Sequence, residues 1–342
     1  MRIIERSIAI CRQQPSTVLF PDGEDPRVIK AALRLRREDV AMPLVLGNPR
    51  KLHEMLRQVG KQGEALDVAD PAAPELLARN AQDYQALMTA RGKTVSAQEA
   101  ETIVRCPLTA GCLIVRRDEA LAGIAGNISS TPDVMRAGLR LLGPAPGTRT
   151  VSGFFFMIAP DGKQCFIYAD VGVIPEPTPE QLADISISSA ECYRHMMQEE
   201  PRVALLSFST KGSAKHPRVD RVRQALDLVR ARDPQLAVDG ELQFDAAVVP
   251  EIGKTKAPDS KVAGKANVFI FPSLEAGNIA YKMTQRLGNY TALGPLLQGL
   301  GGGWHDLSRG CDADDVYMVA LVGMALEIER QKTQRAAAHN NN

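Results

Sequence analysis

Hydrophobic and polar positions alternate between two rhythms along this chain. Short apolar runs rich in β-formers are followed by stretches with apolar residues three or four apart, and repetition of that pair predicts an α/β protein. Thr17-Val18-Leu19-Phe20 reads as a buried strand ended by Pro21-Asp22-Gly23. Asp25-Pro26 caps a helix whose apolar face holds Val28, Ile29, Ala32, Leu33 and Leu35. Residues 42–46 form a second strand, and Pro49 opens a second helix. Residues 72–104 read as largely helical, broken around Arg91-Gly92-Lys93. A strand over 121–125 runs into Gly126-Asn127-Ile128-Ser129-Ser130, and Thr131-Pro132 starts a helix through Val134, Met135, Ala137, Leu139 and Leu142.

The pattern then changes. Gly143-Pro144-Ala145-Pro146-Gly147 has the composition of a hinge, and runs at 151–158 and 164–169 flank Pro160-Asp161-Gly162 as an antiparallel hairpin. A long helix follows Pro179 to about residue 198. A strand at 203–207, a helix from His216-Pro217 to about Arg232, a strand at 268–271 and a helix at 275–287 follow in turn. Gly294-Pro295 marks a second boundary, and the final helix, about 312–330, returns to the first domain. The predicted domains are therefore 1–147 plus 295–330 and 148–294, with 331–342 a frayed tail.

Composition narrows the function classes. With 342 residues, 44% hydrophobic and 24% charged, the chain suits a globular protein long enough for two domains. A net charge of +1 gives no global field for nucleic acid or a membrane surface, so neither is expected as a partner. Charges interrupt the apolar residues of Met1-Arg2-Ile3-Ile4-Glu5-Arg6, and no apolar run approaches a membrane span, which together predict a cytoplasmic protein. The six cysteines form no Cys-x-x-Cys pair and do not cluster with the five histidines, so neither metal nor disulfide is expected. They read as small core residues, apart from Cys311, whose location is chemically suggestive.

That location is His305-Asp306-Leu307-Ser308-Arg309-Gly310-Cys311-Asp312-Ala313-Asp314-Asp315-Val316, between glycines 299–303 and an apolar helical run. A helix start offers unpaired N–H groups and the positive dipole end. Ser308 and Arg309 there can hold an anion while an acid handles a proton. Asp312 and Asp315 also fit a capping box, which needs no function; neither Ser308 nor Arg309 is needed for it. The stretch Asn127–Asp133 with Arg136 has the same form, a strand leading through small polar residues into a helix, and Ser130 or Thr131 can cap it or meet a phosphate.

Three further segments are weaker. Ser207–Pro217 has the hydroxyls and lysines of a phosphate loop but no Walker pattern, and Gly253-Lys254-Thr255 lacks the earlier glycine, since Val249 is there. The glycines at 299–303 meet Trp304 where a dinucleotide fingerprint needs a third glycine. Asn278 and Lys282, after Pro272-Ser273, can face a cleft or the surface.

Asp306-Leu307-Ser308-Arg309-Gly310-Cys311 with Asp314-Asp315 resembles the signature of the phosphate acetyl/butyryltransferases. The resemblance extends through Ser130–Arg136, Asp239–Ala247 and Phe271–Ile279, covers the chain to about residue 330, and is greatest toward the ethanolamine-utilisation type. It implies a two-domain fold like that of isocitrate and isopropylmalate dehydrogenases, an interdomain active-site cleft, and a homodimer. The implied reaction is acetyl-CoA plus phosphate giving acetyl phosphate plus CoA, with CoA a substrate and no tightly bound cofactor. Asp315 would then be base toward the CoA thiol, Ser308 would position the thiol or the tetrahedral intermediate, and Arg309 and Arg136 would hold phosphate, with Ser130 and Thr131 beside the substrate. The family's additional phosphate-binding Arg is replaced here by Met88 in a gap-free match, leaving Arg91 as the candidate substitute.

With an ordinary Asp carboxyl at about 3.9 and an ordinary thiol at about 8.5, complete proton transfer is uphill by about 6 kcal/mol. A helix start deepens that mismatch and burial eases it. Proton removal concerted with attack on the acetyl carbonyl is therefore expected. The rival chemistries are an acyl-enzyme on Cys311, a metal- and NAD-dependent decarboxylating dehydrogenase using Asp312, Asp314 and Asp315, and a non-catalytic acetyl-CoA sensor. Propionyl or butyryl transfer stays open, because one methylene changes discrimination by only about 1–3 kcal/mol.

Overall fold

A computed structural model describes residues 2–340, with side chains described to residue 336. The chain divides into two compact units, one of residues 4–143 and 300–340, the other of residues 144–299 with Arg2 and Ile3.

In the first unit, α1 (Arg2–Gln13) leads into β1 (Thr17–Phe20), α2 (Pro26–Arg37), β2 (Met42–Leu46), α3 (Pro49–Val59) and β3 (Asp67–Ala69). Next come α4 (Pro74–Ala90), α5 (Ala97–Val104), α6 (Pro107–Arg116), β4 (Ala122–Ala125) and α7 (Thr131–Leu141). Prolines at the first helical turn recur here, with Asp25, Asn48 and Ser130 as side-chain caps. The second unit holds β5 (Ser152–Ile158), β6 (Cys165–Ala169), α8 (Pro179–Met197), β7 (Arg202–Leu206), α9 (Pro217–Arg232) and β8 (Ala237–Leu242). It continues with α10 (Phe244–Val248), α11 (Pro250–Lys256), β9 (Val268–Ile270), α12 (Leu274–Gly288) and β10 (Thr291–Gln298). The chain then re-enters the first unit through β11 (Gly303–Asp306) and α13 (Ala313–Asn340).

The first unit's sheet has the order β11-β4-β1-β2-β3, and all its pairs are parallel. Trp304 anchors β11. Its buried indole lies over Gly123, its register partner on β4, where a Cβ would overlap the ring, and its Nε1 donates to the Val134 carbonyl of α7 at 3.0 Å. On the other side, buried His305 packs against Gly323 of α13, and burial pushes its imidazole down to about 4. The second unit's sheet runs β10-β5-β6-β9-β7-β8, with β10, β5 and β6 antiparallel and the rest parallel. Phe155, Met157, Tyr168, Phe269 and Phe271 dominate the core on one of its faces.

Two expectations change. Gly294-Pro295, read as a domain boundary, lies inside β10, where the register with β5 shifts between Leu293 and Leu296. A glycine and a proline on an edge strand here mark an irregularity rather than a linker, and the unit ends at Gly299. Of the expected tail, residues 331–340 continue α13, while 341 and 342 lie outside the described residues.

Candidate active site

Chain order in the parallel sheet reverses between β1 and β4, because β2 and β3 lie on one side of β1 and β4 and β11 on the other. The carboxyl ends of strands at such a switch point leave a crevice between diverging loops. Three loops meet there: residues 21–25 after β1, 126–130 after β4, and 307–312 after β11.

Side chains tie these loops together. Asp22 accepts from the backbone N–H groups of Gly126, Ile128 and Ser129 at 2.9, 3.2 and 2.9 Å, and from Ser129 Oγ at 2.6 Å. Asp25 caps α2 and pairs with Arg27 at 2.7 Å. Held there, Arg27 donates Nη1 to the carbonyls of Arg309 and Cys311 at 2.9 and 2.8 Å, and Nη2 to the Asn127 carbonyl at 2.9 Å. One guanidinium therefore spans all three loops. Desolvation opposes ionisation of Asp25, but its hydrogen bonds from Arg27 and Asn127 hold the carboxyl below its ordinary value.

Of the predicted residues, Ser308, Arg309 and Ser130 fall on two of these loops, Thr131 and Arg136 on α7, Asp315 on the first turn of α13, and Arg91 just past α4. Ser308 Oγ accepts from the Gly310 N–H at 3.3 Å, and both Ser308 and Arg309 are exposed. Asp312 and Asp315 form the reciprocal capping box: the Asp312 N–H donates to Asp315 Oδ2 at 3.0 Å and the Asp315 N–H to Asp312 Oδ1 at 2.9 Å. Asp315 thus has a structural role at the start of α13 in addition to any chemical one. Asp314 instead pairs with Arg34 at 3.1 Å, and among the described residues no three acids, cysteines or histidines are grouped to hold a metal ion.

At the start of α7, Ser130 donates to Asp133 Oδ2 at 2.6 Å and Arg136 pairs with Asp133 Oδ1 at 2.8 Å. Thr131 Oγ1 donates instead to Asp306 Oδ2 at 2.6 Å, joining this helix to the end of β11. Arg91, just past α4, donates to the Arg140 carbonyl near the far end of α7. Met88 is buried, with Arg140 Nη2 4.0 Å from its sulfur. The loops therefore bring Ser308, Arg309, Ser130 and Thr131 to one sheet edge, whereas Arg91 is held at the opposite end of α7.

Cys311 is buried, and burial pushes its thiol up to about 11 despite the nearby Arg27. This opposes the thiolate that an acyl-enzyme needs. In the second unit, the hydroxyl- and lysine-rich loop serves two buried carboxylates. Glu241 accepts from Ser209 Oγ, the Gly212 N–H and Arg223 Nε, each at 2.8 Å, and Asp239 pairs with Lys211 and Arg230. Gly253-Lys254-Thr255 lies within α11. Asn278 Nδ2 donates to the Val171 carbonyl at 3.2 Å, while Lys282 lies 5.7 Å from the Tyr281 ring centroid.

Sequence reading missed Asp22, Asp25 and Arg27 as site residues, taking the first two as a strand end and a helix cap. Two acids and an arginine within seven residues of the end of a buried strand were the available signal.

Residues 2–324 match the family model described as phosphate acetyl/butaryl transferase. A phosphate acetyltransferase of Paracoccus denitrificans is 42% identical over 94% of this chain and 96% of its own. A phosphotransacetylase from Streptococcus pyogenes superposes with a TM-score of 0.90 at 37% identity, covering 96% of this chain and 98% of that one. The EutD phosphotransacetylase from Staphylococcus aureus gives 0.87 at 36% identity, covering 95% and 98%. Likeness in fold alone extends to a Salmonella typhimurium structure described as a 4-hydroxythreonine-4-phosphate dehydrogenase, with a TM-score of 0.54 at 14% identity over 92% of this chain and 99% of that one, in keeping with the dehydrogenase-like architecture expected. This chain belongs to the phosphate acetyl/butaryl transferase family and is an acyltransferase for which CoA is a substrate.

Proposed function

We propose that the Ser308–Asp315 segment carries out acyl transfer between CoA and phosphate directly, within a ternary complex and with acetyl as the preferred acyl group. The observation that carries this reading is Arg309. Its guanidinium is exposed beside Ser308 and has no carboxylate partner among the described residues, whereas Arg27, Arg34 and Arg136 are each ion-paired. A cation left unpaired at a strand's carboxyl end, ahead of a helix N-terminus, suits a phosphoryl group.

In the direction of acetyl-CoA synthesis, the CoA sulfur attacks the carbonyl carbon of acetyl phosphate as its proton passes to Asp315. The carbonyl π electrons move to oxygen, giving a tetrahedral intermediate positioned by Ser308. Collapse re-forms the carbonyl and breaks the carbon–oxygen bond to phosphate, which departs against Arg309. Arg136 is the second phosphate candidate and reaches it by releasing its exposed pair with Asp133, a contact worth at most about 1 kcal/mol. Ser130 and Thr131 line the same edge. Arg91 as a phosphate ligand would have to leave the Arg140 carbonyl.

The proposal includes a homodimer. Ile279, Met283 and Leu287 recur four apart on α12 and are all exposed, and Gly277 is the only residue of that helix that is buried. An apolar stripe of this kind is a surface to be covered. A cytoplasmic, ethanolamine-utilisation setting belongs to the same proposal, the latter supported by the likeness to the EutD structure. No helix among the described residues is long and apolar enough to cross a membrane. The test is phosphate-dependent thiol release from acetyl-, propionyl- and butyryl-CoA. Highest kcat/KM with acetyl-CoA supports the reading, and preference for butyryl-CoA overturns the acyl assignment.

A further inference from the structure

Asp306 closes β11 and Thr131 opens α7, two elements separated by 175 positions in sequence, yet the Thr131 hydroxyl meets the Asp306 carboxylate at 2.6 Å. Asp306 is 2% exposed; the adjacent Leu307 N–H also favours its charged form, but its second oxygen, Oδ1, has no well-formed hydrogen bond among the described residues. Gly126, at φ 110°, runs so close that any Cβ there would overlap that oxygen. Asp22 of the β1–α2 loop is the charged group facing the carboxylate, while the neighbouring His305 packs the other way, onto Gly323 of α13. A buried, half-satisfied carboxylate is costly to keep, and an apolar side chain ending the same strand would not incur that cost. What the carboxylate provides is a directional link between the last residue of β11 and the first turn of α7.

We propose that Asp306 is a positioning residue for acyl transfer: through Thr131 it holds the loop carrying Ser308 and Arg309 against the helix start carrying Ser130 and Arg136. Ser308 lies two residues beyond Asp306, so a shift at the link is passed almost undiminished to the site, where a displacement of about 1 Å can cost about a hundredfold in rate. The hydroxyl of Thr131, expected from sequence to face substrate, is committed to this link. The inference rests on the reading given under Proposed function.

The test is steady-state acetyl transfer between CoA and phosphate by the full-length protein and by Thr131→Val, Thr131→Ser, Asp306→Ala and the Thr131→Val/Asp306→Ala double variant, with folding checked by Trp304 fluorescence. Each disruptive single change is expected to lower kcat at least about tenfold in folded protein. The double variant should lose no more than the worse single, because both remove one link. Thr131→Ser, which keeps the hydroxyl, should restore most of the rate. Should Asp306→Ala fail to fold, Thr131→Val, which keeps the side-chain shape, and Thr131→Ser still decide the matter. Wild-type kcat and KM in Thr131→Val, or additive losses in the double variant, would overturn the proposal. Absence of transfer by the wild-type protein would instead overturn the functional reading, and this inference with it.

Discussion

Replacing Asp306 by Asn should make the protein relatively more stable as pH rises. The carboxyl is buried, and burial, aided by the nearby charge of Asp22, pushes it up to about 6 from an ordinary 3.8. Below the ordinary value the group is protonated in folded and unfolded chains alike, and stability does not depend on it. Between about 4 and 6 the folded state keeps the proton while the unfolded chain has lost it, so this group's contribution to stability falls as pH rises. Above the folded value the loss is complete. A separation of about 2.2 pH units (6 minus 3.8) at about 1.36 kcal/mol each amounts to about 3 kcal/mol. Asparagine keeps an acceptor for Thr131 Oγ1 and does not titrate. Its extra amide donor adds a cost of about 1–3 kcal/mol if unpaired, but that cost is the same at every pH. The stability difference, variant minus wild type, should therefore move by about 2.4 kcal/mol in the variant's favour between pH 4 and pH 8, the rest of the change falling below pH 4. Urea unfolding followed by the chain's one tryptophan, Trp304 beside Asp306, reads the unit concerned. A constant difference across that range would refute the reasoning.

Gly123→Ala should destabilise the first unit by about 1–3 kcal/mol or more, seen in the same unfolding experiment, because the new Cβ overlaps the Trp304 indole. Arg309→Ala should raise the KM for phosphate and lower kcat by a combined factor of about a hundred or more while the unfolding midpoint stays near wild type, since the side chain is exposed and makes no ion pair among the described residues. Ile279→Glu combined with Leu287→Glu on α12 should shift sedimentation from dimer to monomer, and a wild-type profile would remove that helix as the interface.

Local patterns carried the parts of the fold whose cause is local. Val18–Phe20 and Val268–Ile270 are apolar and buried, Pro160-Asp161-Gly162 turns a hairpin, and α9 starts at Pro217 and ends at Arg232 as its cap and apolar spacing imply. β8 was illegible because Asp239 and Glu241 are polar within a strand. Their partners, Lys211, Arg230, Ser209 and Arg223, come from a loop and a helix that sequence cannot bring alongside. β11 was hidden in the same way by His305 and Asp306. α6 shows no polar stripe, since Leu108 and Ala110–Val115 are all buried. In the site, Ser308–Asp315 and Ser130–Arg136 were legible as helix starts. Arg27 was not, because its meaning lies in carbonyls 100 and 282 positions away.

The central claim is that the Ser308–Asp315 segment transfers the acyl group directly, with Asp315 taking the thiol proton and no acyl-enzyme on Cys311. Asp315 also closes the capping box with Asp312, so Asp315→Asn, which keeps an acceptor oxygen, separates the chemistry from the cap. The decisive measurement is kcat for acetyl transfer from acetyl phosphate to CoA in wild type, Asp315→Asn and Cys311→Ser, with radiolabelled acetyl followed on the protein. The account predicts a loss of about a hundredfold or more in Asp315→Asn, near-wild-type turnover in Cys311→Ser, and no label retained. Label trapped on wild-type protein, with turnover abolished in Cys311→Ser, would contradict it.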